Sequence, residues 1–155
     1  MSGYRPALPD PPPQTLAALR DWMVAEGANF QGYALDGRAI AEGFAVRHDG
    51  QAWLWGYEER GHWREEGRFA TEAALVAHVV AHVAADQWAW SHPVLITPDR
   101  QAARAAEAAC LGKGLAVKAD SIPFGGPDAR HYRVFVFGRD AEQARALARP
   151  PLHGR

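Results

Sequence analysis

A row of possible metal ligands lies in the middle of the chain. His78, His82 and Asp86 recur at intervals of four residues, which places them on one face of a helix. Imidazole and carboxylate groups at that spacing are able to share a metal ion, but the zinc-protease pattern requires a glutamate where this chain has Val79. We favour the simpler interpretation, in which the histidines lie at the edge of a buried face and His82 forms an i, i+4 pair with Asp86. We therefore predict no metal ligand.

The second group is a segment rich in tryptophan and glutamate. Residues 53–66 contain three of the six tryptophans and four acidic side chains. Paired carboxylates serve as general acid and base in glycosidases, but Glu58 and Glu59 are adjacent and would point to opposite faces of a strand. Two interpretations remain open, a solvated hairpin with charged tips and a binding surface, since aromatic and arginine side chains dominate protein interfaces. Catalysis is the least favoured.

The remaining motifs exclude several other chemistries. Gly112-Lys113-Gly114 lacks the longer glycine-lysine pattern of a phosphate loop and follows a predicted helix instead of opening one. Cys110, the single cysteine, cannot form an internal disulfide or a cysteine-based metal site, and the C-terminal end of a helix disfavours its thiolate. The arginines are dispersed, which argues against a nucleic-acid interface. We predict no catalytic residue, no enzymatic activity and no cofactor.

Size and composition favour a soluble protein. The chain has 155 residues, of which 48% are hydrophobic and 23% are charged, as is typical of one globular domain. No apolar run approaches the ~18 residues that span a bilayer, and the N-terminus has no apolar core of signal-peptide length. We predict a single cytoplasmic domain over residues 1–155, with a proline-rich arm over residues 1–12 and no membrane partner.

The charge is unevenly distributed along the chain. The net charge is −1, but residues 1–92 carry twelve acidic and seven basic side chains, whereas residues 93–155 carry six acidic and ten basic ones. The halves therefore differ in sign, −5 against +4, and surfaces of this kind steer charged partners. An acidic first half suits a basic partner.

The alternation of apolar and turn residues predicts an α+β fold. Four strands are predicted at about 30–35, 43–48, 52–58 and 62–69. They are divided by Asp-Gly and Arg-Gly pairs that indicate hairpins, so neighbours should be antiparallel. A strand at 131–137 is apolar on both faces and is predicted as an inner strand that extends this sheet. Three or four helices should pack on the sheet, at about 13–26, 71–90, 98–111 and from Asp140 to a stop at Pro150.

The segment from Trp53 to Val83 resembles small bacterial immunity proteins of polymorphic toxin systems. The similar features are an aromatic strand, the turn Tyr57-Glu58-Glu59-Arg60-Gly61, a short charged strand, and Phe69 and Thr71-Glu72 opening an alanine-rich helix. The resemblance implies a cytosolic, non-enzymatic α+β protein that binds a cognate toxin domain and blocks its active site. With the acidic first half, the implied partner is a basic nuclease or a nucleotide-modifying toxin.

The predicted partner-binding residues all belong to this segment. They are Trp55, Tyr57, Glu58, Glu59, Arg60, Trp63, Glu65 and Glu66. The alternative hypothesis is a small-ligand-binding or enzymatic α+β domain that uses the aromatic face of the hairpin as the floor of a pocket.

Overall fold

The fold is α+β, as the sequence predicts, and the chain divides into two compact units at Trp90 and Ser91. The computed structural model describes residues 3–126 and 128–148. A single domain is expected from the length, whereas each unit has its own sheet and its own hydrophobic cluster. The change of charge along the sequence coincides with this division, so the N-terminal unit carries the acidic surplus. None of the described helices is long and apolar enough to cross a membrane.

The N-terminal unit has a four-stranded sheet in the order β1-β2-β3-β4 and two helices. Its elements are α1 (Leu16–Ala25), β1 (Tyr33–Ala34), β2 (Glu42–His48), β3 (Trp53–Glu59), β4 (His62–Phe69) and α2 (Glu72–Ala85), with 3-10 turns at Phe30–Gly32 and Gln87–Ala89. Thr71 is the N-cap of α2, as predicted, because its hydroxyl accepts a hydrogen bond from the Ala74 N–H at 3.1 Å. Gly27 has the positive φ of a helix C-terminus, 78°.

The prediction of antiparallel neighbours is correct for two of the three strand pairs. β2 and β3 are antiparallel across the Asp49-Gly50 turn, and β3 and β4 are antiparallel across Arg60-Gly61. β1, in contrast, is only two residues long and pairs with β2 in parallel. The physical reason is local, because the Asn29 side chain caps a 3-10 turn where a strand is predicted. Asp36-Gly37 accordingly lies in a connection and not in a hairpin.

The core of the N-terminal unit lies between α2 and the sheet. The helical spacing of Leu75, Val76, Val79, Val80 and Val83 predicts an apolar stripe on α2. Four of these side chains are fully buried, namely Leu75, Val76, Val79 and Val83. Trp90 closes the cluster, and its indole N–H donates to the Val83 carbonyl at 2.8 Å. Burial of each such aliphatic side chain contributes about 1.5–3 kcal/mol, so α2 holds the sheet through apolar contact. Val80, predicted in the same stripe, is only partly buried.

The C-terminal unit is a three-stranded antiparallel sheet with two helices. Its elements are β5 (Ser91–Thr97), α3 (Arg100–Gly112), β6 (Val117–Pro123), β7 (Arg130–Phe137) and α4 (Asp140–Ala148), and the strand order is β5-β7-β6. A small cluster of buried side chains, which includes Cys110, Leu115, Val136 and Ala144, forms its core. Arg133 pairs with Asp120 on the neighbouring strand through two hydrogen bonds of 2.7 Å.

The strand predicted at 131–137 is an inner strand, but it does not extend the first sheet. It is β7, and both of its edges are occupied by β5 and β6. The reason is that these two partners are seven residues long, whereas the sequence indicates only a short strand or an extended link at 93–96 and a short strand at 115–117. The prolines and glycines of residues 121–130 predict a loop, but β6 runs to Pro123 and β7 begins at Arg130, so the loop is shorter.

Helix boundaries also differ from the predictions by a few residues. α1 begins after the Thr15 N-cap instead of near Pro13. Asp99 caps α3, so that Pro98 precedes the helix and does not open it. α2 ends at Ala85, before its predicted end. The predicted stop at Pro150 lies outside the described residues.

Candidate functional site

The register of β3 and β4 sorts the predicted partner-binding residues onto two faces. Successive side chains of a strand alternate between faces, and we call the face packed against α2 the inner face and the opposite one the outer face. From β3, Trp55, Tyr57 and Glu59 belong to the inner face. Glu58 belongs to the outer face and pairs across the strands with Trp63. The expectation that Glu58 and Glu59 do not share a site is therefore correct.

Trp55 is a core residue, and the structure leaves none of its side chain open to a partner. Its side chain is 0% exposed, stacks on Phe44 at 5.3 Å between ring centroids and meets His82 edge-on at 5.4 Å. The apolar stripe of α2 covers this part of the inner face. At Trp55 the aromatic face of the hairpin is therefore covered and does not form an open pocket floor.

The row of possible metal ligands lies at the edge of this core, since His82 and Asp86 are half-buried and His78 is exposed. Burial lowers the pKa of His82, whose imidazole lies in the aromatic cluster. The Asp86 carboxylate accepts a hydrogen bond from the Tyr33 hydroxyl, and burial, followed by this bond, raises the pKa of Tyr33. His78 packs against the Phe69 ring at 5.0 Å. Among the residues that the structure describes, no group of three or more such side chains is placed to hold a metal ion.

The outer face is built around a glycine. Trp63 lies across Gly56, where an added Cβ would come within 2.5 Å of the indole ring. The Arg47 guanidinium lies over the same ring, 4.0 Å from its centroid, and forms an ion pair with Glu58. Gly56 therefore lets an aromatic ring lie flat on the sheet, and Arg47 holds both Trp63 and Glu58 in place. The roles of Gly56 and Arg47 were not predicted from the sequence, because they appear only once the strand register is known.

Ion pairs occupy most of the carboxylates in the predicted site. Arg68 contacts Asp49 at 2.8 Å and Glu65 at 3.0 Å, and Arg64 contacts Glu66 at 2.8 Å. Hydrogen bonds from two backbone N–H groups, reinforced by Arg68, hold the pKa of Asp49 below its usual range. Exposed pairs of this kind add little stability, but they neutralise the charge that a partner would meet. The hairpin is consequently less acidic in effect than its composition suggests.

The turn of the hairpin differs from the rest of this surface. Glu59 and Arg60 are exposed, and neither forms an ion pair within the described part of the chain. Arg60 has a φ of 50° and Gly61 a φ of 80°, the two positive values that a type I′ turn requires. Arginine is unusual in that conformation, which glycine, asparagine or aspartate adopts at lower cost.

An open cleft lies beside this turn. Its volume is about 430 Å³, and it is lined by Tyr57, Glu59, Arg60, His62, Trp63 and Arg64. We call these six residues the hairpin tip. The tip brings together four of the predicted partner-binding residues, namely Tyr57, Glu59, Arg60 and Trp63. Of the others, Glu58, Glu65 and Glu66 lie in ion pairs along the strands.

The hairpin tip is thus a surface with charges of both signs and two aromatic side chains, set at the end of a rigid sheet. Such a surface is suited to protein recognition, in which aromatic and arginine side chains carry most of the binding energy. Comparison with known protein families, with curated proteins and with solved structures finds no match for this chain.

Proposed function

We propose that this protein is an immunity protein that binds a toxin domain through the hairpin tip and blocks its active site. The observation that supports it is the pair of exposed charges at the turn, Glu59 and Arg60, which have no ion-pair partner in the described chain. The neighbouring carboxylates of the hairpin are already paired. A charge that is free before binding has no internal ion pair to lose when it meets a complementary group.

The backbone of Arg60 also favours a role in recognition. A non-glycine residue in the left-handed region costs of order 1–2 kcal/mol, and a residue with a lower cost would satisfy the turn. Such strained positions cluster at functional sites. The Arg60 side chain lines the tip cleft with Tyr57 and Trp63, where it is accessible to a partner.

The charge of the N-terminal unit indicates the chemistry of the partner. That unit carries a net charge of −5, which attracts a basic protein and speeds its association. Nucleases and nucleotide-modifying toxins act on substrates that carry phosphate, so we expect basic side chains on their substrate-binding surfaces. In our proposal, Glu59 pairs with a cationic group of the toxin, and Arg60 pairs with an acidic or carbonyl group at the rim.

The test uses the toxin domain that, under this proposal, is encoded immediately upstream of this gene. Co-expression should restore growth of cells that make the toxin, and calorimetry with the purified toxin should show that Glu59→Arg or Arg60→Glu weakens binding by about tenfold or more.

The matched control is Asp21→Arg, which changes the net charge as Glu59→Arg does but lies at an exposed position on α1. The control should bind within about threefold of the unchanged protein, a loss due to long-range charge alone. The proposal fails if no toxin is encoded there, if growth is not restored, or if Glu59→Arg and Asp21→Arg weaken binding equally.

A further inference from the structure

A second cleft, away from the hairpin tip, lies in the N-terminal unit. It is formed by α1, the connection after β1 and strands β2 and β3, and its volume is about 660 Å³. Small-molecule sites typically enclose about 300–1,000 Å³. We call it the α1 cleft, and its lining includes Leu16, Arg20, Leu35, Val46, His48 and Trp53.

The floor of the α1 cleft is apolar and fixed. Leu35 and Val46 are 4% and 7% exposed, and both belong to the main hydrophobic cluster. Leu16 and Trp53 pack against that cluster from α1 and β3. The Trp53 ring meets the His48 ring at 4.7 Å between centroids. Because these side chains are anchored in the core, the floor is formed before any ligand arrives, which lowers the cost of binding.

The rim of the α1 cleft has more positive than negative charge. The Arg20 guanidinium comes no closer than 3.9 Å to the Asp36 carboxylate, and the Arg20 side chain is 58% exposed. The same carboxylate accepts a hydrogen bond from the Arg38 N–H at 3.2 Å and lies 3.9 Å from the Arg38 guanidinium. Two guanidinium groups therefore share one carboxylate. Arg47, which also lines the cleft, is already paired with Glu58.

His48 adds a hydrogen-bond donor to this rim. Its Nδ1 accepts a hydrogen bond from the Gly50 N–H at 3.1 Å, so the proton of the neutral ring is on Nε2. A ligand complementary to the cleft thus needs an apolar body for the floor and one anionic group for Arg20, and it gains from an acceptor near His48.

We propose that the α1 cleft binds a small aromatic carboxylate. The aromatic ring lies on Leu16, Leu35, Val46 and Trp53, and the carboxylate pairs with the Arg20 guanidinium, a partner suited to two parallel hydrogen bonds. This binding site is separate from the hairpin tip and does not depend on the proposed immunity function.

The probes are naphthoate and its uncharged counterpart naphthylmethanol, titrated into the full chain by calorimetry. Naphthoate should bind about tenfold more tightly than the alcohol, as expected for a hydrogen bond to a charged group. Arg20→Gln should remove most of that preference, because the apolar floor is unchanged. If naphthoate does not bind, or if Arg20→Gln keeps the full preference for the anion, the proposal is wrong.

A second pair of variants locates the binding site. Ala17 is exposed and lines the α1 cleft, whereas Ala18, its neighbour on α1, is exposed and lines a different groove beside the proline-rich arm. Ala17→Phe fills the cleft and should abolish naphthoate binding, while Ala18→Phe should leave it within about twofold of the unchanged protein. Circular dichroism of both variants checks that they are folded. Equal binding by folded Ala17→Phe would overturn the assignment.

Discussion

Replacing Gly56 with alanine tests whether the outer face is built as described. An added Cβ would lie 2.5 Å from the Trp63 ring and 2.6 Å from the Arg64 carbonyl oxygen. The first neighbour is a side chain that can move, and the second is backbone of the adjacent strand. Gly56→Ala should therefore lift the indole off the sheet, separate it from Arg47 and strain the pairing of β3 with β4.

The expected loss of stability can be worked out from these contacts. Overpacking of this kind costs about 1–3 kcal/mol, and loss of the Arg47–Trp63 contact adds about 0.5–1 kcal/mol. Alanine restricts the unfolded chain more than glycine does, which offsets about 0.4–1 kcal/mol of the loss. We expect the free energy of unfolding to fall by about 1–3 kcal/mol.

Urea denaturation followed by far-ultraviolet circular dichroism measures this change. The control is Gly32→Ala in the same unit, where an added Cβ meets nothing within 4 Å, and it should raise the free energy of unfolding by about 0.4–1 kcal/mol through the unfolded chain alone. In a double-mutant cycle, Trp63→Ala should recover part of the loss at position 56, since one of the two clashes disappears. A fully stable Gly56→Ala variant, or a cycle without coupling, would refute the described packing.

Two further predictions concern the turn and the core. Arg60→Asn should raise the free energy of unfolding by about 0.5–1 kcal/mol, because asparagine tolerates the left-handed region better, and a lower urea midpoint would contradict this. Burial holds the pKa of His82 below its ordinary value, so the unfolded chain binds a proton at this residue at a higher pH than the folded chain does. Stability should therefore decline as pH falls through about 6.5. His82→Gln should flatten that decline between about pH 7 and pH 5, above the range where carboxylates titrate. Melting temperatures across this range measure it, and an unchanged slope would assign the effect elsewhere.

Local patterns predict much of the fold because they act over short distances. The Arg60-Gly61 pair, the Thr71 cap and the apolar stripe of α2 each depend on neighbours within a few residues, and the structure contains all three. The short parallel strand β1 was not predicted, for a related reason. The cap at Asn29 is also local, but it competes with an apolar run that by itself indicates a strand.

Long-range choices could not be read from the same patterns. Alternation shows that Trp55 and Glu58 lie on different faces, but which face is buried depends on where α2 packs. Burial on both sides marks 131–137 as an inner strand, yet its partners are set by pairing between distant segments. The candidate binding residues differ from the predicted set for this reason, since Arg47 and Arg68 neutralise carboxylates from neighbouring strands. The tip is set by the local Arg60-Gly61 turn, and its residues remain predicted partner-binding residues.

The division at Trp90 gives each unit its own natural spectroscopic or chemical reporter. All six tryptophans lie between residues 22 and 90, so tryptophan fluorescence follows the N-terminal unit alone. The single thiol, Cys110, lies in the C-terminal unit, is 1% exposed and has a pKa raised by burial. A thiol reagent reacts with Cys110 only after α3 opens away from its core. Emission and labelling rates therefore record the opening of the two units separately, in one chain that needs no engineered label.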